Sequence, residues 1–165
     1  MNKKVFQLIV DNTSGVLSRI SGLFSRRGYN IESITAGVTA DPNFTRITIV
    51  ASGDDEVLEQ IEKQVAKIID VRNVKVLHPE NSVYRELCLV KVACDASARN
   101  NLIVLSNVFN ANVVDVTTES VIIELTGKQS TIDAFLKVIE EYQILELART
   151  GIAGLSRGTS DVVNL

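Results

Sequence analysis

The chain has 165 residues, 45% of them hydrophobic and 22% charged, with a net charge of −3. That balance suits a soluble globular α/β protein of one ordinary domain or two small ones and argues against disorder. An acidic chain with a sequence pI of about 5.2 does not favour nucleic acid, whose phosphates need a basic face. No apolar run reaches the ~18 residues of a membrane span. The start, MNKKVFQLIVDNTSG, lacks a small-residue cleavage site and reads as a strand rather than a signal peptide.

Residues 4–10, KVFQLIV, read as a buried strand. A helix is expected over 14–27, with Val16, Leu17, Ile20, Leu23 and Phe24 on one stripe and Gly28 closing it. Residues 30–38, NIESITAGV, form a strand; TADPNF turns; and residues 45–51, TRITIVA, return with alternating Ile47 and Ile49 buried. A second helix is expected over 54–69, its apolar face made of Val57, Leu58, Ile61, Val65, Ile68 and Ile69. Glu59 and Lys63 make an i,i+4 pair on its other side. VRNVKVL, 71–77, is the last strand of this unit.

The order βαββαβ with right-handed crossovers predicts a four-stranded antiparallel sheet with two helices on one face, the other face left bare. After the linker HPENS, 78–82, the plan repeats. A strand over 84–92 precedes a helix over 97–109, a hairpin of ANVVDVT and SVIIELT, a helix over 130–142 and a strand ILELART. NIESIT in the first unit is echoed by NVVDVT in the second. The fold expectation is α+β: two ferredoxin-like βαββαβ units, with domains at 1–78 and 83–165. In the helix 97–109, Ala98, Leu102, Leu105 and Phe109 make a core stripe, and Ile103 and Val104 fall outside it. These two are either ordinary exposed apolar groups or a second face against another subunit.

Catalytic chemistry finds little material. There is no P-loop, no GxGxxG after a strand and no HExxH. The segment GLSRG, 154–158, resembles a nucleophile elbow superficially, while the lone histidine, His78, sits in the linker. Cys88 and Cys94 lie in one strand, roughly 20 Å apart, and cannot bridge each other there. One histidine and no CxxC do not supply a zinc site, so a cytosolic chain without metal is expected. An RNA-binding module of the same strand order needs stacking aromatics on its central strands, and TRITIVA has none.

A small-molecule sensor fits the residues better. In DNTSGVLSRISGLFSRRGYNIES, 11–33, a polar turn ends in Gly15 at a helix start. A helix N-terminus offers free N–H groups and partial positive charge, and a glycine lets a ligand carboxylate approach. Asn12 and Asn30 carry amide donors and acceptors for a carboxylate and an ammonium. The competing reading is that Thr13 or Ser14 simply caps the helix.

The same stretch, followed by TRITIVASGDDEVLEQIEKQVAKIIDV, resembles the regulatory (small) subunits of acetolactate synthase, also called acetohydroxyacid synthase. The first unit resembles an ACT domain, and GLSRG is similar to that family's C-terminal region. The resemblance implies a non-catalytic subunit that binds and activates a catalytic large subunit and confers feedback inhibition by a branched-chain amino acid, usually valine. Thiamine diphosphate, magnesium and FAD would belong to that partner, with no cofactor in this chain. It also implies an effector site built from Asn12, Gly15 and Val16 of one chain and Asn30 and Ile31 of its neighbour, in a homodimer joined edge to edge through ACT domains. The second unit has CDASARNN where the first has DNTSG, and no equivalent site is expected there. The alternative is a free-standing ACT-type amino-acid sensor regulating another enzyme. A cytoplasmic location is expected in either case.

Overall fold

The computed structural model describes residues 2–159 and 162. Its strands and helices run β1 (Asn2–Asp11), α1 (Val16–Arg27), β2 (Asn30–Val38), β3 (Phe44–Gly53), α2 (Asp55–Val65), β4 (Val71–Leu77), β5 (Ser82–Ala93), α3 (Ala96–Val108), β6 (Asn112–Val116), β7 (Ser120–Gly127), α4 (Gln129–Val138), β8 (Ile144–Arg149) and β9 (Ala153–Ser156). A short 3-10 turn, Pro79–Asn81, stands where the linker was expected. The first sheet has the order β2-β3-β1-β4, and the second β6-β7-β5-β8, with β9 paired to β5. The ladders between β1, β2, β3 and β4 are antiparallel, as are those joining β5 to β7 and β8 and β6 to β7. Two ferredoxin-like units are therefore present.

The chain divides into a unit of residues 1–84 together with the segment from Gly151 onward, and a unit of residues 85–150. The expected boundary placed everything from 83 to 165 in the second domain. The difference has a physical cause. Ile152 is buried in a cluster with Val5, Val50 and Leu77 of the first sheet, with Tyr84 packed against it. β9 therefore belongs to the first unit.

Period-two alternation builds the first core. Phe6, Leu8 and Val10 of β1 and Ile47, Ile49 and Ala51 of β3 face Val16, Ile20 and Phe24 of α1 and Leu58, Ile61 and Val65 of α2. The opposite face of this sheet is not bare as expected. Val5, Gln7, Ile9, Thr48 and Val50 are all buried there. Two residues counted in the helix stripes lie outside the core. Ile69 is 85% exposed, because α2 ends at Val65 and residues 66–70 form turns. Leu17 is 49% exposed beside the start of α1.

In the second unit Cys88, Val90 and Val92 of β5 and Val121, Ile123 and Leu125 of β7 face Leu102 of α3 and Ile132, Phe135 and Ile139 of α4. Both cysteines are free and buried. Burial raises the Cys88 thiol above its ordinary value, which makes it inert as a nucleophile. Ala98, Leu105 and Phe109 pack on this core, as their stripe predicts, and Val104 is exposed. Ile49→Ala should destabilise the first unit by about 2–5 kcal/mol, since it empties a fully buried site in a filled core. The matching change in the second core is Ile123→Ala, and the midpoint of urea unfolding reads both.

Candidate functional site

The turn from β1 to α1 is held from three sides. Asp11 receives two hydrogen bonds from Arg72 of β4, Nε to Oδ1 at 2.7 Å and Nη2 to Oδ2 at 2.5 Å. The Asp11 amide donates to the Asp70 carbonyl at 2.9 Å. Asn12 donates its backbone N–H to Asn43 O at 2.7 Å and its Nδ2 to Pro42 O at 2.8 Å, and its Oδ1 accepts from Thr45 Oγ1 at 3.1 Å. Much of the Asn12 amide is thus engaged in tying this turn to the β2–β3 hairpin.

The turn ends at Gly15, the N-cap of α1, in the left-handed region at φ 84°. No side chain caps this helix, and its first turn contains no acidic residue. Neither Thr13 nor Ser14 takes the capping role. Helix α4 also starts without a side-chain cap, at Lys128, but α2 and α3 do not. Asp54 caps α2 by accepting from Val57 N at 2.9 Å, and Asp95 caps α3 by accepting from Ala98 N at 2.8 Å. In α3 the chain's own carboxylate fills the place that α1 leaves open. Val16 buries its side chain in the core while its N–H stands at the open helix start.

One residue went unseen in the sequence. Arg19 folds back over the helix start, its Nη1 lying 3.1 Å from where a Cβ on Gly15 would sit. Its Nε donates to Asp70 Oδ2 at 2.6 Å, which fixes the guanidinium there. The only available signal was its spacing of four from Gly15, and its partner Asp70 is 51 residues away in the chain.

The other expected group lies at the start of β2. Asn30 Nδ2 donates to Ser52 Oγ at 2.9 Å, and Ile31 is partly buried against the first core. Beside them Lys3 pairs with Glu32 at 2.6 Å and its hydrogen bond holds that carboxyl below its ordinary value. Register shifts between Ile31 and Ser33, so Glu32 bulges from the ladder. β2 is an edge strand.

The structure does not bring the two groups together within one chain. Asn12 is tied to Thr45 and Asn30 to Ser52, at opposite ends of β3. Seven residues of strand put them about 23 Å apart. The 12-residue helix α1 separates Gly15 from Gly28 by about 18 Å in the same sense.

Family comparisons match both units. A family described as "AHAS small subunit-like ACT domain" matches residues 6–73, and "Small subunit of acetolactate synthase" matches residues 85–158. The probable acetolactate synthase small subunit of Methanothermobacter thermautotrophicus is 47% identical over 156 residues, covering 94% of this chain and 93% of that protein. The chain belongs to the acetolactate synthase small-subunit family. The isozyme 3 small subunit of Escherichia coli is 43% identical over 157 residues, covering 94% of this chain and 96% of that one. The crystal structure of the small subunit from Thermotoga maritima shares the fold at a TM-score of 0.90 and 38% identity, covering 96% of this chain and 99% of that chain. Among the described residues no helix is long and apolar enough to cross a membrane, and no cluster of three or more metal-ligating side chains occurs.

The Asp11–Arg72 pair gives the turn a definite acid response. Hydrogen bonding to Arg72 holds the Asp11 carboxyl below its ordinary range. A depressed folded-state value contributes stability that is complete above the unfolded carboxylate value and lost as pH falls through the folded one. Arg72→Met should therefore shrink the loss of melting temperature between about pH 6 and pH 3, compared with the unaltered protein.

Proposed function

We propose that this chain is a non-catalytic regulatory subunit that senses a branched-chain amino acid, valine first among them, for an acetolactate synthase catalytic subunit. It activates that partner and makes it sensitive to feedback inhibition. Thiamine diphosphate, magnesium and FAD are assigned to the partner. The observation that carries the reading is the open start of α1, which lies about 23 Å from the Asn30 end of the same sheet. Neither group closes a site alone, so a second copy supplies the missing half.

Edge-to-edge pairing of two β2 strands related by a two-fold axis brings the Asn30 end of one copy toward the Gly15 end of the other. The effector's carboxylate then caps α1 through Gly15 and Val16 N–H groups, with Arg19 beside it. Charge-assisted hydrogen bonds of this kind contribute about 1.5–3 kcal/mol each. Asn30 meets the ammonium end, and Ile31 lines the apolar side. Asn12 acts chiefly by fixing the turn. Inhibition follows if the effector binds the inhibited assembly more tightly than the active one, a difference of about 1–3 kcal/mol in typical systems.

The decisive experiment is co-purification with the catalytic subunit followed by an activity assay with and without valine. Activation and valine inhibition of the complex support the reading; a complex indifferent to valine overturns it. Gly15→Asp should abolish valine inhibition while activation persists. Its carboxylate pairs with Arg19 in the effector's place; the left-handed φ of 84° strains any side chain there, aspartate less than most, and the nearest obstacle to its Cβ is the flexible end of that arginine. Asn30→Ala should weaken valine about tenfold, read by calorimetry. Mixing the two variants and allowing exchange should restore about a quarter of the sites, because each mixed dimer holds one intact pair. No recovery would place both halves within one chain.

A further inference from the structure

Resting on the effector reading above, we infer that residues 151–157 form a strap that clamps the effector-binding strand β2 against the first sheet and so sets the affinity of the effector site. The strap crosses the face of the first sheet opposite the helices. At one end a Cβ on Gly151 would stand 2.8 Å from Ser33 Cβ and 2.8 Å from Thr35 Oγ1, both on β2. Its φ is not positive, so the glycine is needed for space and not for conformation. Thr35 Oγ1 is buried there without a hydrogen-bond partner. In the middle Ile152 closes over Val5 and Val50 of the two central strands and Leu77 of β4. At the far end a Cβ on Gly154 would meet Leu77 Cδ1 at 2.9 Å. Lys75 Nζ donates to Ser156 Oγ at 2.6 Å, and Arg157 N donates to Asn81 O at 2.7 Å. One continuous segment therefore grips both edge strands of the sheet.

β2 depends on that grip. It is laddered to β3 on one side alone within the chain, and its ladder is broken by the bulge near Ile31. The strap holds its inner face two residues beyond that bulge, close to Asn30 and Ile31. The chain immediately before the strap is equally fixed. Thr150 donates its N–H to Leu87 O at 2.9 Å, and its Oγ1 accepts from Leu87 N at 2.9 Å. Thr150 and Leu87 belong to the second unit and Gly151 to the first. GLSRG is accordingly the end of this strap, with Ser156 serving as a tie for Lys75.

The test uses the full chain with its catalytic partner. In hydrogen exchange, valine added to the unaltered protein should slow exchange in the peptide spanning 151–157 as well as in β2. Gly151→Val forces a larger side chain against Ser33 and Thr35, and should raise the half-inhibitory valine concentration about tenfold while activation persists. Ile152→Val, which keeps the β-branch and removes one methyl group from the clamp, should shift it in the same direction by a smaller factor. Protection of β2 with no change across 151–157, or unaltered valine inhibition in a folded Gly151→Val protein, overturns the strap and leaves the effector site standing. Failure of the unaltered protein to take up valine overturns the effector reading and the strap with it.

Discussion

Helix α1 begins without a cap of its own, and the rest of the molecule is arranged around keeping that start open and rigid. An uncapped helix start leaves N–H groups unsatisfied, a cost that water or a ligand must offset. Asp54 and Asp95 cap α2 and α3, whereas α1 and α4 begin without a side-chain cap, and only α1 begins at a left-handed glycine. The turn beneath it is fixed by Arg72, by the Asp70 carbonyl and by the Asn12 amide, and Asp70 also positions Arg19. Electropositive groups are thus held in place before any anion arrives. Preorganisation of this sort reduces the ordering cost paid on binding.

The two units began from one plan and have parted in chemistry. In the second, Asp95 fills the helix start and leaves no room for a ligand carboxylate. Its sheet presents Leu87 and Leu89 outward on the face away from the helices, whereas the corresponding face of the first sheet is buried. Ion pairs fasten the edge of the second sheet. Lys91 pairs with Glu146, and Arg149 bridges Glu86 and Asp133 at 2.7 Å each. Burial alone would lower the Arg149 guanidinium, but its hydrogen bonds to Asp133 and Glu86 raise it overall. Glu86 is itself buried, and its pairing with Arg149 offsets the cost of that burial.

Much of the fold was legible because its periods are clean. Alternation in KVFQLIV and TRITIVA and the stripes Val16–Ile20–Phe24 and Leu58–Ile61–Val65 all reappear as core. Errors came where local pattern yields to tertiary context. Leu17 and Ile69 have the right spacing, but one sits beside an open helix start and the other beyond a helix end. The segment after Thr150 has no periodicity to announce which sheet it will cover. Ile152 and the tight glycines at 151 and 154 acquire meaning only beside Val5, Ser33 and Leu77, far away in the chain. Within the candidate site, Gly15 was readable as the glycine that ends a polar turn before an apolar stripe, while Arg19 was hidden because its orientation is set by Asp70.

A site shared between copies has a thermodynamic consequence that a site within one chain lacks. A ligand that bridges two subunits stabilises their pairing by as much as pairing strengthens the ligand's hold. In the proposed shared site, the polar anchors at Gly15, Arg19 and Asn30 would select the class of ligand, a free amino acid, through charges common to all members. Choice among valine, leucine and isoleucine rests on a methylene or its position, worth roughly 1 kcal/mol. On that proposal the discrimination would fall to the apolar side beside Ile31, at the spacing of the paired β2 strands. On the same proposal, whatever fixes β2 against its own sheet would govern selectivity as well as affinity, and the β3 ladder and the segment packed behind β2 hold that strand.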